Sequence, residues 1–312
     1  MGGNQLGVPT TKLTLAGTQS LNTSSGQDGA YAFSNIPKGN YTLTPAKTDK
    51  NHINGISSYD AALVLKHVVK LETLQGPAAI AADVDQSGTI SSLDAAYILQ
   101  KSVGLIDVPF PNASAIWVFA PSTYSYNPLG SDQTGQDFTA ILLGDPSGNW
   151  SPSGGVTLGD PVSTTVMLSL PEMETASGER VRVPVSFQVP GDIELPTSFD
   201  LIVTYDPSVV SVVEVQNGDA IPDWSLAFHA DETLGHLKIG VSGDHPPVSR
   251  SGELVVVTFD TLGDSGEATA LTMTMGSVEE TELAEPSLQS GQLRVGEESS
   301  QPNRIFLPLV HR

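Results

Sequence analysis

Two stretches 34 residues apart carry the same pattern, and this duplication restricts the fold more than any other feature of the chain. Asp49–Leu71 reads DKNHINGISSYDAALVLKHVVKL, and Asp83–Leu105 reads DVDQSGTISSLDAAYILQKSVGL. Asp49, Ile56, Ser57, Ser58, Asp60, Ala61, Ala62, Leu65, Val69 and Leu71 are identical to their partners in the second copy. Each copy is an oxygen-rich loop that runs into an amphipathic helix. In the second copy Ala95, Ala96, Ile98, Leu99 and Val103 continue the loop as an apolar helical stripe.

The second loop has the spacing of a calcium loop. Asp83, Asp85, Ser87, Ser91 and Asp94 stand at positions 1, 3, 5, 9 and 12 of a twelve-residue segment, with Gly88 at position 6, where the chain must turn sharply. This places several hard oxygens around one point, while Ile90 at position 8 anchors the loop to a core. Position 12 holds Asp94 where an EF-hand carries a bidentate Glu, so the loop is not a complete EF-hand. The same Asp and Ser residues would also suit an Asx-rich turn that caps a helix without metal.

The tandem of loop, helix and Asp at position 12 resembles a type I dockerin over Asp49 to Ile106. That resemblance implies Ca2+ held by Asp83, Asp85, Ser87, Asp94 and the carbonyl of Thr89, with Ser91 acting through water. It implies a weaker first site of Asp49, Asn51, Gly55, Ser57 and Asp60, because Ile53 occupies position 5 and Asn54 replaces the turn glycine. It also implies that a partner is read by Ser58, Tyr59, Ser92 and Leu93, at positions 10 and 11, followed on the helices by Lys66, His67 and Lys101.

The flanks alternate as strands do. The string DGAYAFSNIPKGNYTLTP resembles small β-sandwich modules of the carboxypeptidase-regulatory or B type, and AIWVFAPSTYSY and GQDFTAILLGDPSGNW supply further strands. Residues 1–48 and 107–150 are therefore expected to form one split sandwich with 49–106 inserted in a loop, since exposed loops tolerate insertion. Trp117, Phe119 and Trp150 are expected in its core or facing the insert.

Residues 151–162, rich in Gly, Ser and Pro, form a linker. Beyond it, eight or nine short strands separated by Gly, Pro and Asp turns imply a sandwich or jelly roll. The series RVRVPVSF, YDPSVV, NGD and SGELVVVTF resembles a cohesin, assigned here to 163–296. The resemblance implies a sheet face that binds dockerin helices, around Ala227–Asp231 and Leu237–Ser242, with Asn217, Asp219, His229, Asp231 and Lys238 as contact candidates. Each of these could equally be an ordinary solvated strand residue. Residues 297–312 are a polar linker and an apolar tail, RIFLPLVHR, expected to pack on its own domain. The fold class is mainly β with a small α insert: a β-sandwich, a two-helix-repeat dockerin and a jelly-roll cohesin sandwich.

The formal net charge is −21, with 35 acidic against 14 basic residues, so no basic face is available for nucleic acid. There is no cysteine, and calcium can supply the staple that disulfides give elsewhere. No apolar run approaches the roughly 18 residues needed to cross a bilayer. Met1–Gly17 lacks a basic start followed by an apolar segment, which leaves the true N-terminus open. The composition fits an extracellular or cell-surface protein. No G-x-S-x-G elbow, H-E-x-x-H, phosphate loop or Cys/His cluster occurs, so no enzyme is expected.

With both halves of a plug-and-socket pair in one chain, the first expectation is a structural protein that self-assembles head to tail through calcium-dependent joints. The alternatives are an adaptor scaffoldin for foreign cohesin- or dockerin-bearing proteins, and a carbohydrate-binding wall module.

Overall fold

Strand alternation of period two and two capped helices account for nearly all regular structure in the computed structural model, which describes residues 6–49, 55–152, 166–283 and 287–296. The linker 153–165, Asn51 and the C-terminal tail lie outside the described residues. The N-terminal region contains strands β1 (Lys12–Gly17), β2 (Ser20–Ser24) and β3 (Gly39–Ala46), then helices α1 (Ser58–Val68), α2 (Pro77–Ala82) and α3 (Ser92–Ser102). Strands β4 (Trp117–Ala120), β5 (Tyr124–Leu129) and β6 (Thr139–Leu142) follow.

Both sides of the helical insert meet in one sheet, of order β2-β1-β3-β5, with Tyr41 opposite Tyr126. Leu13, Leu15, Tyr41 and Leu43 form its core, beneath Tyr31, Phe33, Tyr124 and Phe138. The strand expected within GQDFTAILLGDPSGNW, β6, stays out of this sheet. β6 pairs only with β4, and this ribbon turns Trp117 and Leu142 into the core of the helices. There Trp117 and Trp150 stack edge to face at 4.9 Å in one buried cluster with Leu99, Ile98, Val64 and Phe110, and this aromatic bulk ties the ribbon to the helices.

The helices start for a local reason. Ser57 and Ser91 take extended backbone angles at the two N-caps, and Asp60 and Asp94, three residues on, each accept a 2.9 Å hydrogen bond from the backbone N–H of that serine. Both helices end in a left-handed residue, Lys70 (φ 67) after α1 and Gly104 (φ 81) after α3.

The C-terminal region is a two-sheet β-sandwich. Its strands are β7 (Met167–Ser169), β8 (Glu172–Ala176), β9 (Arg180–Gln188), β10 (Ser198–Thr204), β11 (Val210–Asn217) and β12 (Ser225–Asp231). They continue as β13 (His236–Ser242), β14 (Ser251–Thr261), β15 (Ala268–Val278), β16 (Thr281–Glu282), β17 (Leu288–Gln289) and β18 (Gly291–Gly296). One sheet has the order β12-β13-β10-β15-β18-β8, with β16 beside β15, and the other the order β11-β14-β9-β7-β17. Val183, Val185 and Phe187 of β9 and Phe199, Leu201 and Val203 of β10 face each other across the core.

Because Phe199, Leu201 and Val203 point inward, Ser198, Asp200 and Ile202 point outward. Register aligns Ala227, Gly240, Asp200 and Ser277 in one row across the outer face, and Ser225, Ser242 and Ser198 in the next. Helices α1 and α3 pack on this face.

Candidate functional site

Small residues let the helices come close. A Cβ on Gly240 would stand 3.1 Å from Leu99 Cδ1, 3.1 Å from Ser102 Oγ and 3.2 Å from Val103 Cγ1, so α3 rests on bare backbone there. Beside it Ala227 joins the hydrophobic core of the helical insert. At the α3 end, Gly104 lies against His229, whose Nδ1 would be 3.6 Å from an added Cβ.

The polar centre of this contact is Asp200. Ser58 donates to it twice, through Oγ at 2.7 Å and through its backbone N–H at 3.2 Å, and the Ser277 and Ser102 hydroxyls stand near it. Ser58 opens α1, where unpaired N–H groups and the helix dipole favour an anion. Burial nevertheless holds the Asp200 carboxyl above the ordinary aspartate range, opposed by these donors.

A second polar knot lies at the start of the insert. Ser57 Oγ donates to Glu280 Oε1 at 2.9 Å, and Ser147 Oγ donates to the same oxygen at 3.0 Å. Asp60, fully buried, accepts from the Ser147 N–H at 3.1 Å, while Asp145 accepts from the N–H groups of Gly148, Asn149 and Trp150. Burial pushes Glu280 up to about 7 and Asp145 to about 6; burial, with Glu280 nearby, holds Asp60 well above its usual range. Three carboxyls thus share one buried spot, with no cation beside them among the described residues.

The second loop gathers as its spacing requires. One carboxylate oxygen each of Asp83, Asp85 and Asp94 lie within 4.8 Å of one another, and among the described residues this is the one acidic cluster with such geometry. The Ser87 N–H donates to Asp83 and Asp85, both at 3.0 Å, and the Gly88 N–H donates to Asp83 at 2.8 Å, with Gly88 at φ 86 closing the turn. Ser87 Oγ also lies 3.2 Å from the Thr89 carbonyl. Asp94 closes the loop on itself, accepting from the Val84 and Asp85 N–H groups with one oxygen and from Ser91 with the other. An all-oxygen donor set of this kind fits a hard divalent cation. Asp83, Asp85, Ser87, Thr89 and Asp94 would hold it, with Ser91 behind Asp94.

The first loop is used differently. Asp49 is bound by Lys47 at 2.6 Å and by Thr10 at 3.1 Å, whereas Asp60 is turned to Ser57, Ser147 and Glu280. Gly55 is buried against Asp145, Asn149 and Trp150. The described first-loop residues therefore do not converge on one point, because a lysine takes the carboxylate at position 1.

The partner-reading candidates also divide. Ser58 and Tyr59 lie in the contact, and the Tyr59 hydroxyl is pushed up to about 12 by burial with Glu279 and Glu280 near. Lys66 stacks over the Tyr59 ring and lines a cleft with Glu194, Leu195, Thr197 and Arg250. His67 accepts the Leu74 N–H within the insert. Ser92 and Leu93 face solvent, and Lys101 precedes the contacting Ser102. On the sandwich, His229 is at the contact and Lys238 is exposed on the same face. Asn217, Asp219 and Asp231 are not at the contact: Asn217 donates to the Trp224 carbonyl on the opposite sheet's edge, Asp219 accepts from Glu253, and Asp231 caps its own turn. Asp200, Gly240, Ser277 and Ser147 belong to no motif legible in the sequence, and for Glu280 the sequence indicates only a strand-edge turn. The signal available was Asp200 interrupting the apolar run SFDLIVT at an outward position.

Residues 166–294 match the cohesin domain model. A cohesin domain is a protein interaction module rather than an enzyme, and here its sheet β12-β13-β10 is the one on which the chain's own helices sit. No curated protein matches the chain. Among solved structures, a non-cellulosomal cohesin from the hyperthermophilic archaeon Archaeoglobus fulgidus is 19% identical, with a TM-score of 0.36, covering 42% of this chain and 91% of that one. The type I cohesin–dockerin complex Coh-OlpA–Doc918 from Clostridium thermocellum is 16% identical, with a TM-score of 0.36, covering 42% and 99%. The seventh ScaB type I cohesin of Pseudobacteroides cellulosolvens is 15% identical, with a TM-score of 0.33, covering 47% and 97%.

Proposed function

We propose that the chain is an extracellular or cell-surface structural protein whose helical insert acts as a dockerin for its cohesin domain, and that copies join head to tail through this contact. The observation that carries the reading is the seating of α1 and α3 on the outer face of β12, β13 and β10, around Asp200 and Gly240. Made within one chain, the contact gives a closed monomer. Made between chains it is heterologous, and its repetition gives a filament, tube or ring. Which form dominates depends on concentration.

Calcium acts by holding the second loop in the geometry that starts α3. At millimolar calcium and a site of roughly micromolar affinity, binding to the folded form alone adds about 4 kcal/mol. The fit of the Asp83, Asp85 and Asp94 oxygens supports this assignment.

Electron microscopy with light scattering, on the chain at rising concentration with calcium and then with a chelator, tests the reading. Large species that dissolve on chelation are expected, and Gly240→Arg, which places a long side chain where α3 rests, abolishes them. A monomer under every condition would overturn self-assembly. The exposure of Ser92 and Leu93 favours a second reading, an adaptor whose second copy engages a foreign cohesin. Pull-down of a purified foreign cohesin, lost in Leu93→Asp, would support that instead.

A further inference from the structure

The hairpin that carries Glu280 is built in an unusual way. Val278 pairs with Thr281, so Glu279 and Glu280 are the only two residues of the connection between β15 and β16. Both are left-handed, at φ 46 and φ 66. A two-residue hairpin of this form takes Asn and Gly most easily, and two consecutive glutamates store strain there. Strain of this kind persists only where the surroundings hold it. Here Glu279 accepts from the Thr197 N–H and Oγ, both at 2.9 Å, which braces the turn. That leaves Glu280 projecting at the insert.

What Glu280 meets comes from two different units. Ser57 belongs to the first loop of the insert, and Ser147 belongs to the segment after β6, outside the insert. The Ser147 N–H also donates to Asp60, so that segment is locked to the start of α1 before either reaches the cohesin domain. The Asp145 carboxylate fixes the segment in turn through the Gly148, Asn149 and Trp150 N–H groups.

We propose that Glu280 is a specificity-determining residue that reads a composite plug, formed by Ser57 of the insert together with Ser147 of the flanking β region. The partner this face fits is therefore the insert as carried in this chain, its own or that of a second copy. A free-standing pair of loop-helix repeats without the 145–150 segment leaves half of the Glu280 contact unmade. This inference rests on the insert acting as dockerin for the cohesin domain.

The test uses the full chain with a protease site placed in segment 153–165, cut after folding, and follows release of the N-terminal piece from the cohesin domain by size exclusion and surface plasmon resonance. Ser147→Ala is expected to speed release about tenfold, as loss of a hydrogen bond to a carboxyl does. Glu280→Gln is expected to act similarly, and the double variant no more than the stronger single. Ser147 lies outside the helices, so the change leaves their caps intact, and an unaltered melting curve of the N-terminal piece checks this. Release unchanged in Ser147→Ala but faster in Ser58→Ala would overturn the composite plug alone. Immediate separation of the unsubstituted pieces would overturn the docking reading beneath it.

Discussion

Asp60 and Asp94 occupy the same position in two copies of one motif, begin the same kind of helix and accept the same bond from a serine N–H, yet they serve different ends. Asp94 turns its other oxygen back to Val84 and Asp85 and closes a loop of converging carboxylates. Asp60 turns its other oxygen to Ser147, beside Glu280 and Asp145. What separates them is the residue that position 1 meets. Among the described residues Asp83 meets its own loop, while Asp49 meets Lys47, held in place over Trp117. One copy gathers carboxylates around a point, and the other ties the helices to the β15–β16 hairpin.

The largest effect that would break this comparison is on calcium. Asp83→Ala with Asp94→Ala is expected to abolish a calcium-dependent melting shift worth about 4 kcal/mol, whereas Asp49→Ala with Asp60→Ala leaves most of it. An equal shift in both double variants, measured by calorimetry with and without chelator, would remove the distinction between the loops.

A smaller effect concerns pH. In the folded chain Glu280 titrates at about 7 and Asp145 at about 6, both raised by burial. The folded state therefore keeps protons that the unfolded chain has released, so the stability these two groups contribute is complete below about pH 4 and is lost as pH rises through 6 and 7. In chelator the loss between pH 5 and 7.5 should be on the order of 2 kcal/mol. Glu280→Gln flattens this slope. A slope that survives the substitution would place the responsible groups elsewhere, with Asp200 the next to test.

The smallest effect compares the two helix ends. Gly104→Ala puts a side chain into a left-handed position and should cost about 1 kcal/mol, and Lys70→Gly relieves the same strain in the first copy and should gain about 1 kcal/mol. Chemical denaturation in chelator measures both. A gain at Gly104 would contradict the cap geometry.

Much of this arrangement was legible because it is local. The loop spacing, the Ser-x-x-Asp caps and the alternation of RVRVPVSF depend on near neighbours in sequence, and residues 166–294 carry their family pattern openly. What was not legible depends on residues far apart. That Lys47 takes Asp49, or that Ser147 meets Glu280 across the boundary between units, follows from packing that no period reveals. Asn217 and Asp219 belong to a turn on the sheet away from the helices, while Asp200 is one polar letter in an apolar strand.

Ser198 and Ser242 sit side by side on the outer side of β10 and β13, the strands that α1 covers, and both hydroxyls are buried there with no hydrogen-bond partner among the described residues. Polar groups packed between a sheet and a helix yield less than apolar ones would. Alanine at both places would give a joint of longer residence time. If copies join as proposed, such a contact would release sooner, and a chain could exchange one neighbour for another.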